Sequence, residues 1–154
     1  MKFYFTTLLC MSAFFIVSCS SNDPSSQNMK FRDLDLSEFP DLEVVDDKNE
    51  DLYLVINSKE EFDELIDLGT EQEAPFDIDF QTETLLIGKV RLTGIHGQLV
   101  EQNLQQCDDS IVQYDLTVMN GGYTAIGKFL FGIVTSKVNA SQVSFNIDTV
   151  EYQR

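Results

Sequence analysis

Hydrophobic and polar positions alternate in three different ways along this chain. From Phe3 to Val17 fifteen residues run without a charge, behind a single Lys2. Around Phe62, Leu65 and Ile66 the apolar positions recur at helical spacing. From Asp77 onward the period becomes two, as in strands whose side chains point to opposite faces in turn. Leu86, Gly88, Val90 and Leu92 share one face, while Lys89 and Arg91 point away. Val112, Tyr114, Leu116 and Val118 alternate with Gln113, Asp115 and Thr117, and Val143, Phe145 and Ile147 with Ser144, Asn146 and Asp148. The stretch Thr124 to Thr135 differs. Ile126, Phe129, Leu130, Phe131, Ile133 and Val134 fall on both of its faces, which predicts a central strand. Gly127 and Gly132 within it predict bulges or a close backbone approach.

Turn signals separate these runs. Gly94-Ile95-His96-Gly97 predicts a turn, after which Val100 and Leu104 continue a strand. Asn120-Gly121-Gly122 predicts a second, because Asn and Gly tolerate positive φ. Upstream, Leu52 to Ile56 reads as a strand. Ser58-Lys59-Glu60-Glu61 is a capping box, in which the Ser58 hydroxyl accepts the Glu61 N–H and the Glu61 carboxylate accepts that of Ser58. The helix that follows is predicted over 58–68, with Gly69 as its stop. The fold class is therefore α+β: one helix on a mainly antiparallel sheet, sandwich-like or a small open barrel.

The N-terminal apolar run is too short for a membrane span, which needs about 20 residues. It has the form of a secretory signal peptide. At its end Ile16-Val17-Ser18-Cys19 resembles the lipobox of bacterial lipoproteins. That resemblance implies a signal peptide over 1–18, cleavage before Cys19 and attachment of diacylglycerol to its thiol. It places the protein at the outer membrane, on the periplasmic or cell-surface side. Two or three acyl chains anchor a protein stably where one does so only marginally. Residues 19–32, rich in Ser, Asn and Gln at their start, are expected to be a flexible tether, followed by a single domain over 33–154. The Cys19-Ser20-Ser21-Asn22-Asp23 start is similar to lipoproteins of the Bacteroides-type lineage. Asp109-Ser110-Ile111 and Asp148-Thr149-Val150 resemble the O-glycosylation motif of that lineage, which implies modification at Ser110 and Thr149.

Charge narrows the partners. Acidic residues number 26 against 10 basic in 154, a formal charge of -16, so binding to nucleic acid phosphates is excluded. Nine carboxylates fall within 33–51 against one opposing Lys48, an acidic lead-in expected to be extended or loosely packed. Within it Asp47-x-Asn49-x-Asp51 matches the first three ligand positions of a calcium loop. The sixth position is Leu52 rather than Gly and the twelfth is Ser58 rather than Glu, so the segment is not an EF-hand. A looser Ca²⁺ site and a solvated acidic face remain as alternatives.

Catalytic candidates are few. His96 is the sole histidine, so Ser–His–Asp chemistry must use it, yet it sits between turn residues where an exposed imidazole is commoner. Cys107 is expected to form no intramolecular disulfide, since Cys10 leaves with the signal peptide and Cys19 is acylated. Asp108 and Asp109 beside it disfavour the thiolate.

A second resemblance runs from about Leu52 to Asp148. A strand ending near Asn57, a Ser-capped acidic helix and Asp79-Phe80 opening the next strand are similar to the C-terminal domain of the lipoprotein family that stabilises a surface protease complex in spirochaetes. The Thr-Gly-Gly-Tyr motif of that family is replaced by Thr93-Gly94-Ile95-His96-Gly97. The resemblance implies an α+β lipoprotein domain that binds a partner protein. Three functions are thus open: a non-enzymatic lipoprotein that binds or stabilises a protein or glycan at the envelope, a Ca²⁺-dependent adhesion or structural module, and a hydrolase or thiol enzyme using His96 or Cys107.

Overall fold

The computed structural model describes residues 26–36, 42–45, 51–69, 76–108 and 111–152. Its strands are β1 (Gln27–Asn28), β2 (Phe31–Asp33), β3 (Glu43–Val44), β4 (Leu52–Ile56), β5 (Ile66–Asp67), β6 (Glu83–Ile95), β7 (Gln98–Asp108), β8 (Ile111–Met119), β9 (Tyr123–Ser136) and β10 (Val143–Val150). The one α-helix among the described residues is α1 (Lys59–Leu65), and a short 3-10 turn spans Ala140–Gln142. One sheet has the order β1-β7-β8-β10 and a second the order β2-β9-β6-β4, while β3 and β5 form a small pair. The architecture is α+β and sandwich-like, without barrel closure among the described residues.

Pairing is antiparallel except between β8 and β10. The exception follows from the path of the chain. From β8 it crosses to the other sheet as β9 and returns as β10, so β10 runs in the direction of β8. The two sheets enclose one core, in which Leu104, Tyr114, Leu116 and Val118 of the first meet Leu86, Val90, Leu92 and Phe131 of the second. The opposite face of the second sheet is also covered. Leu85, Ile87 and Val134 pack there against Phe62 of α1, Ile66 and the lead-in residues Leu36, Leu42 and Val44. Being buried on both faces, β6 reads as an unbroken apolar run around Leu85-Leu86-Ile87 and β9 as apolar on both sides. Strand β8, wet on one face, shows clean alternation.

Several expectations are corrected. The helix ends at Leu65, not 68. Ile66 donates its N–H to Phe62 O, turns extended and pairs with Val44, because its buried side chain is held in the second core. Half of the capping box forms as expected, with Glu61 N–H on Ser58 Oγ at 3.1 Å. The returning carboxylate takes the N–H of Asn57 at 2.7 Å rather than that of Ser58. The lead-in is not loosely packed where it is described: Leu36 is 7%, Leu42 1% and Val44 3% exposed. Pairing begins at Gln27, inside the stretch read as tether.

The turn chemistry also moves. Among the described residues only His96 (φ 64°) and Gly69 (φ 62°) have positive φ. Asn120 works through its side chain instead. Its Oδ1 accepts the Thr93 N–H at 3.1 Å, its Nδ2 donates to Glu151 Oε1 at 3.0 Å, and its own N–H donates to Val150 O at 2.8 Å. Gly121 is required by proximity, since a Cβ there would lie 1.4 Å from Ile95 O. Both turns carry the chain between sheets and nest against each other at one end of the sandwich.

Candidate functional site

Residues 27–34 stitch the two sheets together along one side. Strand β1 covers only Gln105–Gln106 of β7, extended by Met29 N–H to Leu104 O at 2.9 Å. Strand β2 covers only Ile133–Thr135 of β9, extended by Leu34 N–H to Gly132 O at 3.0 Å. Past these points the stitching stops while both long strands continue. The alternation of an antiparallel ladder carries the outward direction of Gly132 C=O to Leu130 and Lys128, and that of Leu104 C=O to Gln102. No described segment pairs with these backbone groups.

Between the two open edges lies a cleft of about 570 Å³. Leu34, Leu36, Leu99, Phe129 and Phe131 supply its apolar wall, and Asp33, Asp35, Gln102 and Lys128 its polar groups. At its floor the buried Tyr114 hydroxyl donates to Gln102 Oε1 at 2.7 Å, and Gln102 Nε2 donates to Asp33 Oδ1 at 2.5 Å. Burial, and after it the Asp33 charge, hold the Tyr114 hydroxyl well above the usual phenol range, so it stays a donor. Lys128 is paired with Glu43 at 2.5 Å, and Asp33 and Asp35 also line the cleft. Along the two edges Leu99, Val100 and Ile126 are 42%, 55% and 70% exposed. Sequence reading misses this site. The spacing puts Val100 with Leu104 on one face, but a bulge between Leu99 and Glu101 takes it out of register.

The residues singled out from sequence are dispersed. Cys19, Ser110, Asp47 and Asn49 lie outside the described residues. Asp51 is described, and its carboxylate takes the Arg91 N–H at 2.6 Å and the Tyr53 hydroxyl at 3.4 Å. No group of three or more His, Cys, Asp or Glu suited to a metal ion occurs among the described residues. Thr149 is exposed near the end of the edge strand β10. His96 lines a second cavity of about 370 Å³ with Gln98, Met119, Asn120 and Tyr152, next to Gly97 of the β7–β9 cleft.

Cys107 corrects an expectation. It is 9% exposed and disulfide-bonded, its partner lying outside the described residues. A disulfide sulfur is not a thiolate nucleophile. The outer face of the β1-β7-β8-β10 sheet is a polar network closed on itself. Asp115 accepts there from Gln113, Asn146 and Gln105 at 2.7, 3.0 and 3.4 Å. Comparison with family models, curated proteins and solved structures finds no match.

Proposed function

We propose that the chain is a lipid-anchored lipoprotein of the outer membrane that binds or stabilises a partner protein and carries out no catalysis of its own. The observation that carries this reading is the cleft between β7 and β9. It combines an apolar wall that includes the exposed Leu99 with two strand edges that no described segment pairs with, and Val100 and Ile126 are exposed on the same two strands. Apolar groups on open edges invite association unless a partner covers them. The lipobox-like Ile16-Val17-Ser18-Cys19 supports the anchor, and the net charge of -16 supports a partner that is not nucleic acid.

The docking reading is tested by placing a photoreactive residue at Val100 or Ile126 and irradiating intact envelopes. One discrete crosslinked protein from both positions, absent when the residue is at Asp63 of the helix, supports it. Crosslinks no different from those at Asp63 reject it. The anchor is tested separately, by labelling cells with an alkynyl fatty acid.

A further inference from the structure

We propose that the His96 cavity binds a neutral saccharide unit, with the Tyr152 ring as its platform. This site goes beyond the docking reading and does not rest on it. Three observations carry it. First, the cavity has a fixed wall. Gln98 and Met119, cross-strand partners at the ends of β7 and β8, both line it. The Asn120-Gly121-Gly122 turn lines it beside them. Asn120 is 5% exposed, and its side chain is spent on Thr93 and Glu151, which holds the turn in place. A wall ordered in advance spares a ligand the cost of ordering it. Second, two costly features meet here. Tyr152 leaves a large ring 51% exposed. Gly122 puts no side chain against that ring, although a Cβ there would stand only 3.6 Å from Tyr152 Cδ1, so one flank of the ring stays open. His96 holds its imidazole at the cavity with φ 64°, a backbone that glycine would adopt without strain. Strain kept at a cavity points to a use for the side chain that bears it. Third, the lining selects the ligand. None of the described residues that line the cavity is Asp, Glu, Lys or Arg. A charged ligand finds no counter-ion there, and an anionic one is repelled by the net charge of -16. The Gln98 amide, the neutral His96 imidazole and the Tyr152 phenol each carry a donor and an acceptor. Such groups match hydroxyls, which are donor and acceptor at once. The aromatic ring beside them takes an apolar C–H face. A neutral saccharide ring offers both, with hydroxyls at its rim and C–H groups on its face. A purely apolar ligand would strip water from the amide and imidazole without replacing it.

The test uses the full chain in polyoxyethylene micelles, which carry no sugar headgroup. The probes are an array of neutral hexose and N-acetylhexosamine oligosaccharides, with sialylated and sulfated glycans as controls. Binding to at least one neutral glycan is expected, with competition by the free methyl glycoside of its terminal unit. Tyr152→Ala is expected to weaken that binding at least tenfold, and Tyr152→Phe, which keeps the ring, by less. His96→Gly is expected to weaken it at least fivefold while the melting temperature holds or rises, a combination that a merely structural role does not produce. His96 is the sole histidine, so its ring signals in NMR are unambiguous. Their shift on adding the methyl glycoside to the unmodified chain gives the same reading if a variant does not fold. No neutral glycan bound, a preference for the charged glycans, binding that the methyl glycoside does not compete, equal binding by Tyr152→Ala, or His96 signals that ignore the glycoside overturns the site. The crosslinks from Val100 and Ile126 test the docking reading independently of every one of these results.

Discussion

At the scale of single residues, backbone geometry decides one end of the sandwich, and the residue that bears the strain is His96. A non-glycine residue at φ 64° occupies the left-handed region, which costs an L-residue about 1–2 kcal/mol. His96→Gly removes that penalty and gives back part of the gain as unfolded-state entropy. It is expected to raise the melting temperature by a few degrees, as differential scanning calorimetry will read. A lower melting temperature would show that the imidazole's own contacts outweigh the strain. Gly121→Ala should act in the opposite sense. Its Cβ would overlap Ile95 O, and relief requires moving backbone, so a loss of about 3 kcal/mol or more is expected in urea melts. Both turns are legible as turns, but their internal chemistry is not. Asn-Gly-Gly advertises positive φ locally, whereas Asn120 is used as a three-way clamp and Gly121 as clearance. That assignment depends on the second turn packing against the first, which no local rule contains.

At the scale of elements, legibility follows burial. Strand β8 has one wet face and β10 half-buries one, so their alternation can be read directly. Strands β6 and β9 are covered on both faces and announce themselves as continuous apolar runs. The short edge strands β1, β2, β3 and β5 carry two or three residues each, too few for a period, and read as tether, lead-in or helix. The helix is brief enough that its cap matters. Ser58→Ala removes the acceptor of the Glu61 N–H and is expected to lower stability by about 1 kcal/mol in chemical denaturation. The tie between β3 and β9 is the Glu43–Lys128 pair. The hydrogen bond from Lys128, and then its charge, hold the Glu43 carboxyl below the ordinary value of 4.5. A depressed carboxyl contributes stability above its unfolded pKa and loses it as pH falls through the folded one. The melting difference between the parent chain and Lys128→Ala should therefore be present at neutral pH and vanish in acid below 4.5. It should be small throughout, because both side chains are more than half exposed. A difference that grows in acid would reverse the assignment.

At the scale of the whole molecule, the three layers explain why a chain this acidic folds. Among the described residues no carboxylate is buried, while the two cores on either side of the β2-β9-β6-β4 sheet collect the apolar residues. The same arrangement leaves the β7–β9 side incompletely stitched by the described residues, and the proposed anchor would hold the molecule within reach of envelope proteins. The anchor makes a demand on the sulfur atoms. The chain has three cysteines, Cys10, Cys19 and Cys107, and Cys107 is disulfide-bonded. Cleavage before Cys19 would remove Cys10, and acylation would consume the Cys19 thiol. An intramolecular disulfide at Cys107 and the proposed processed, lipidated chain would therefore be alternative states. Fatty-acid labelling separates them. Cys19→Ala is expected to abolish the label and leave residues 1–18 attached, as intact mass spectrometry will read. Cys107→Ser is expected to keep or increase the label, because it removes the competing use of a cysteine sulfur. Labelling that survives Cys19→Ala, or that is lost in Cys107→Ser while the protein remains folded, would dismiss the thioether anchor, and the partner would then have to be sought away from the membrane.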